Sequence, residues 1–129
     1  MHEVSSHPRG ELALRTVAMP ADTNPAGDIF GGWIMSLMDL AAGVSAAAYA
    51  KGRVVTAAVS DLSFILPVKV GDVVCVYTDL ERVGRTSLTI VVETWVLRMG
   101  QPERVRVTAA NFVLVAVDDT GRPRVLEAN

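Results

Sequence analysis

Residues 27–50, GDIFGGWIMSLMDLAAGVSAAAYA, form a run of small and apolar residues broken near its middle by one carboxylate, Asp39. A helix with small or apolar side chains on nearly every face is expected only where most of its surface is buried. The segments that follow indicate what buries it. After Gly52 the hydrophobic period changes from 3.6 to 2, and β-branched residues dominate RVVTAAVSDLSFILPV, DVVCVYTDLERV, TSLTIVVETWVLRM and ERVRVTAANFVLVAVD in succession. ELALRTVAM, upstream of the run, adds a shorter strand. The expected class is α+β, a strongly curved antiparallel sheet of about five strands wrapped around one long central helix. The connections KVG, GR and GQP are short and turn-like, so successive strands are expected to pair as a meander. One such sheet cannot cover the whole helix and also hide its own edge. Two units paired edge to edge satisfy both demands.

Local signals set the helix ends. PADTNPAGD is dense in Pro, Asp, Asn and Gly and reads as a loop. Asp28 is expected to cap the helix, while Gly31 and Gly32 let a backbone or ligand approach its free amides. At the other end Lys51 lies near the negative end of the dipole, and Gly52 is expected at the C′ position.

With 129 residues the chain fits one domain able to bury a core without metal or disulfide staples. We expect a flexible N-terminal tail at 1–11, a single domain at 12–118 and a C-terminal extension at 119–129. Half the residues are hydrophobic and a fifth charged, with mean hydropathy +0.35. That composition excludes a disordered chain and leaves apolar surface for a partner subunit. A net charge of −2, a pI near 5.6 and no run of like charges give no footprint for nucleic acid or an anionic membrane. The lone Cys75 reads as a small buried strand residue, and one cysteine permits neither a disulfide nor a cysteine metal site within the chain. MHEVSSHPRGE lacks the parts of a signal peptide, so a cytoplasmic protein is expected. As a membrane span the run would place Asp39 near the bilayer centre at a cost of roughly 3 kcal/mol, with Gly and Ala where Leu and Ile are usual.

Asp39 is flanked by Met35, Leu37, Met38, Leu40, Ala41 and Ala42, with no Lys, Arg or His within one helical turn. Two readings stand side by side. It is a structural carboxylate, hydrogen-bonded or exposed on a narrow polar stripe with Ser36, or it is a functional group whose apolar surroundings raise its basicity. His2 and His7 both fall in the tail, so the body of the chain has no histidine base for a serine or cysteine nucleophile. GDIFGG has neither Rossmann nor phosphate-loop spacing, and no histidine pair has metal-ligand spacing, so no cofactor and no metal are expected. What remains is a carboxylate, a Gly-rich helix opening and the polar loop DTN. A carboxylate can activate water or attack a carbonyl, and helix-start amides can hold an oxyanion, which suits an activated acyl group.

RTVAMPADTNPAGDIFGGWIMSLMDLAAG, GRVVTAAVSDLSFILPVKVGDVVCVY and VGRTSLTI together resemble the hotdog-fold acyl-CoA thioesterases, specifically the YciA-type group, from about residue 14 to 117. The resemblance implies a five-stranded sheet around a central helix, a double-hotdog homodimer assembled further as a trimer of dimers, and metal-free hydrolysis of acyl-CoA to free acid and CoA. It places the catalytic carboxylate on Asp39, Asn24 and Asp28 in the loop facing the thioester, and the oxyanion amides on Gly31 and Gly32. Asn24 also reads as a turn residue and Asp28 as a helix cap. The resemblance further implies that Asp39 comes from the facing subunit. For the CoA phosphates Arg53 and Arg85 are the best local cations, and Thr56 and Ser87 are candidates for the pantetheine or phosphate end. Asp61 reads as an interface or strand-surface residue. The rivals are a hotdog dehydratase or hydratase, which needs a base such as His, and a non-catalytic acyl-CoA sensor. Acyl chain length is not legible.

Overall fold

A computed structural model describes residues 7–126. The elements run β1 (Glu11–Val17), a 3-10 turn (Pro20–Asp22), α1 (Gly31–Ala50), β2 (Val54–Phe64), β3 (Val73–Val83), β4 (Ser87–Leu97) and β5 (Val105–Ala116). The strands form one antiparallel sheet in the order β1-β3-β4-β5-β2. Strand alternation divides its faces. Val74, Val76, Leu88, Ile90, Val92, Phe112 and Leu114 bury one face against Ile34, Met38, Ala41, Ala42 and Ala46 of α1. The small alanines let the helix lie close to the curved sheet. On the opposite face Cys75, Tyr77 and Trp95 pack together, and Cys75 is buried as expected of a strand residue.

The expected meander holds only for β3, β4 and β5. β2 pairs with β5 at one edge, and β1 takes the place beside β3. The KVG turn is the end of a longer crossing, residues 65–72, that spans about 14 Å between strands three places apart. Pro67 has no amide to give a ladder, so the chain leaves the sheet there, and β2 finds its hydrogen-bond partners in β5. Asp72 fastens this crossing. Only 2% exposed, it accepts Nε and Nη2 of Arg98 at 3.0 and 2.8 Å and the Lys69 amide at 2.9 Å. The fork-on-carboxylate hydrogen bonds hold the Arg98 guanidinium above its ordinary pKa.

α1 is buried along one stripe rather than on most sides. Leu40 and Val44 are each 57% exposed, so the chain alone does not provide the full burial its composition predicts. The helix is long and apolar enough to cross a membrane, yet its stripe from Ile34 to Ala50 is packed against the sheet. Its ends also depart from expectation. Phe30 is the N-cap residue and Asp28 makes no capping bond, because the chain is still in the preceding loop at Asp28. At the C-terminus Lys51, at φ 55°, takes the left-handed conformation expected of Gly52. Gly52 serves a different purpose: a Cβ there would lie 2.7 Å from Arg124 Nη2. Arg124 donates to the Ala50 carbonyl at 2.7 Å and to that of Val117 at 3.3 Å, satisfying a helix-end carbonyl with a positive charge.

Of the first eleven residues, 1–6, with His2, lie outside the described residues. Arg9 is held by its amide to Glu93 Oε1 at 3.0 Å and by its guanidinium to Asp79. After β5 the chain turns back, so that the Leu126 amide reaches the Arg85 carbonyl at 2.8 Å. Residues 127–129 are not described.

Candidate active site

The loop 23–29 is closed on itself by a Thr23–Ile29 bridge and by the Asn24 amide donating to the Asp28 carbonyl at 2.7 Å. Asn24 Oδ1 accepts the amides of Ala26 and Asp28 at 3.0 and 3.1 Å. With its oxygen consumed by the turn, Asn24 has only its Nδ2 hydrogens to offer a ligand. The Asp28 carboxylate pairs with Lys69, tying the loop to the β2–β3 crossing. Beyond the loop α1 opens at Gly31. The first amide to find a carbonyl is that of Trp33, bonded to Phe30 at 3.1 Å, so the Gly31 and Gly32 amides have no acceptor among the described residues.

Asp39 lies on the same face of α1 as Gly32, seven residues and about 10 Å further along the axis. The apolar enclosure expected for it is not supplied by its own chain: Asp39 is exposed. Its one polar partner is Thr56, whose hydroxyl donates to Asp39 Oδ1 at 2.5 Å, leaving Oδ2 free among the described residues. A β-bulge between Thr56 and Ala58 breaks the β2–β5 register beside this contact and sets how the strand meets the helix. Asp39, Gly43, Arg53, Val55, Thr56 and Leu114 line an open groove of about 620 Å³.

Arg85 and Ser87 stand outside that groove, at the β3–β4 turn. Ser87 and Val55 both pair with Val115, from opposite sides, so Arg85 and Arg53 lie at the same end of the sheet. Gly84 makes room there, since a Cβ on it would meet Ser87 Oγ at 2.8 Å. Asp61, at φ 54° in a second bulge of β2, is an exposed strand residue accepting Asn111 Nδ2 at 3.0 Å. His7 lies on the other face of the sheet, in a depression with Arg15 and Trp95. No cluster of His, Cys, Asp and Glu among the described residues is arranged to hold a metal.

The structure therefore gathers Asp39, Thr56 and Arg53 in one groove, Asn24, Asp28, Gly31 and Gly32 at the helix start, and Arg85 and Ser87 at the sheet end. Sequence reasoning missed Lys69 and Arg124, which act on partners 41 and 74 residues away with no local signal.

A family profile described as Thioesterase superfamily matches residues 26–103. The chain belongs to the thioesterase superfamily. This superfamily member is 50% identical over 122 residues to the acyl-CoA thioester hydrolase YciA of Escherichia coli K12, covering 92% of each chain. Among solved structures it is similar to the hexameric thioesterase y2039 of Yersinia pestis, with a TM-score of 0.92, 52% identity and coverage of 95% of this chain and 100% of that one. It is also similar to the hexameric broad-specificity acyl-coenzyme A thioesterase HI0827, solved as an aspartate-to-alanine mutant, with a TM-score of 0.90, 51% identity and coverage of 94% and 89%. The fold of this superfamily member is the hotdog fold.

Proposed function

We propose that the protein hydrolyses acyl-CoA thioesters to free acid and CoA, with Asp39 as the reacting carboxylate and the Gly31 and Gly32 amides as the oxyanion site. The observation that carries this reading is the Asp39–Thr56 hydrogen bond at the wall of an open groove, with one carboxylate oxygen left unengaged. That oxygen either takes a proton from water as the water adds to the carbonyl, or attacks the carbonyl to form an anhydride that water then opens. In both routes the C–S bond breaks and CoA leaves as thiolate. A thiolate is a good leaving group, so the site needs no positioned general acid. Asn24 Nδ2 and the two glycine amides supply donors where the carbonyl oxygen becomes negative.

The geometry within one chain separates these parts. A carbonyl oxygen held within about 3 Å of the Gly32 amide cannot also put its carbon within reach of an Asp39 about 10 Å along the same helix. We infer that each site combines the helix start of one protomer with Asp39 of another. The exposed β2 edge, where Val55 and Val59 are 41% and 39% exposed, and the Leu40–Val44 stripe are the surfaces that bring the two together. A homodimer across β2, repeated as a trimer of dimers, agrees with the hexameric relatives. Arg53 and Arg85, at one end of the sheet, take the CoA phosphates, with Thr56 and Ser87 at the pantetheine or phosphate end and Asp28 holding the loop through Lys69.

The test is thiol release from a panel of acyl-CoAs by the natural protein and by Asp39→Asn, with assembly matched by light scattering. Hydrolysis by the natural protein and a fall of at least about a hundredfold in the variant is the expected result. Binding of CoA esters without thiol release would make the protein an acyl-CoA sensor instead.

A further inference from the structure

The chain beyond β5 binds the backbone of both arginines at that end of the sheet. Val117 donates its amide to the Arg53 carbonyl at 3.0 Å, and Leu126 donates its amide to the Arg85 carbonyl at 2.8 Å. Between these two bonds the return is closed on itself. The Arg124 amide meets the Ala116 carbonyl at 2.9 Å, the Asp118 amide meets the Arg122 carbonyl at 2.8 Å, and Val117 bridges Pro123. The Arg124 side chain then reaches the helix end, with Nη2 on the Ala50 carbonyl, three residues before Arg53, and Nε on the carbonyl of Val117. Val117 is buried and Leu126 packs against the core, which anchors the return at both ends. Arg53 and Arg85 are themselves exposed, and neither guanidinium has a partner among the described residues. Val55 and Ser87, each two residues on from one of these arginines, both pair with Val115, so the two backbones flank β5 about 10 Å apart.

We propose that the return, residues 117–126, is a positioning element for recognition of the phosphorylated end of CoA, with Arg124 as its pin. The inference rests on the assignment of Arg53 and Arg85 to the CoA phosphates in the reading above. Two unpaired guanidiniums on fixed backbones suit a ligand with more than one phosphate. Holding those backbones in advance removes part of the ordering cost from binding, and only a ligand that touches both cations gains from it. The return thereby favours thioesters of CoA over those of pantetheine, which has the same thiol arm and no phosphate. Arg124 touches no substrate in this scheme and acts through Arg53. The rival is a return that only completes the fold.

The experiment reads Kd for CoA and for pantetheine, and kcat and KM for an acyl-CoA and the matching acyl-pantetheine, in the natural protein, Arg124→Met and Arg124→Lys, with assembly matched by light scattering. Methionine keeps the apolar stem and removes the donors. Arg124→Met is expected to raise Kd for CoA and KM for acyl-CoA at least about fivefold, with kcat and both pantetheine values within about twofold of natural. Arg124→Lys, which keeps a charged donor for the Ala50 carbonyl, restores most of the loss. A second measurement needs no variant. If the return readies the arginines for CoA, CoA must in turn steady the return, so saturating CoA slows exchange of the Val117 and Leu126 amides at least about fivefold and pantetheine changes it less than about twofold. Equal shifts for CoA and pantetheine in Arg124→Met, or none for either, overturn the positioning role, as does exchange that CoA leaves unchanged. If no acyl-CoA releases thiol while CoA binding still follows Arg124, the thioesterase reading fails and the positioning role stands. Absence of CoA binding by the natural protein overturns both.

Discussion

Asp39 stood out in the sequence because a carboxylate in a run of apolar residues is expensive to bury, but the residues alone left a structural and a functional reading open, and within one chain it is exposed. Thr56 was legible only as a strand residue facing a ligand, since hydroxyls are ordinary in strands and its partner lies 17 residues away. The contact suggests a task besides the one proposed toward CoA, that of orienting the Asp39 carboxylate. Thr56→Val is expected to lower kcat about tenfold with little change in KM, while Thr56→Ser restores most of the loss. Equal rates for Thr56→Val and the natural protein would rule that role out. Asp118 illustrates a purely structural carboxylate. The Thr120 hydroxyl and the Arg122 amide donate to it and hold its pKa below the usual carboxylate value. A carboxyl lowered on folding stabilises the fold above its unfolded pKa and loses that contribution as pH falls through the folded value. The 118–122 turn therefore loosens in acid below about pH 4. Carbon-detected NMR titration of Asp118 checks this, and a midpoint at or above the ordinary carboxylate value contradicts it.

At the scale of elements, the period change at Gly52 announced one helix and four strands, and the boundaries followed. Strand order was not announced, because alternation says which face a residue takes and nothing about which neighbour its backbone finds. The Asp72–Arg98 clamp belongs to that unannounced part, since it holds the crossing that carries the chain from β2 to β3. Arg98→Ala strands a buried carboxylate. The arginine is itself about a third exposed, so the loss is expected near 2 kcal/mol rather than the larger cost of a fully buried pair, as read by urea unfolding. The helix end gives a second test. Gly52→Ala displaces the Arg124 guanidinium and is expected to cost about 1 kcal/mol in the natural background and almost nothing in Arg124→Ala. Full additivity of the two changes would show that Gly52 does not act through Arg124.

For the whole molecule, the proposed division of each site between protomers carries a consequence: inactive chains would repair one another. Asp39→Asn and Asn24→Ala are each expected to be nearly inert alone. After dissociation and reassembly in equal amounts, about a quarter of natural activity returns, since half of the dimers are mixed and each mixed dimer has one intact site. No recovery in a mixture shown to exchange subunits would place Asp39 and Asn24 in the same site of one chain. The sequence by itself determined the elements, because these depend on local period and residue chemistry, and its motifs carried the resemblance to the superfamily and drew attention to Asp39. Only the tertiary structure decided that β2 crosses to the far edge, that Thr56 and not a cation bonds Asp39, and that Lys69 takes Asp28. Those outcomes are set by distances between residues remote in the chain, which close only when the sheet curves around the helix.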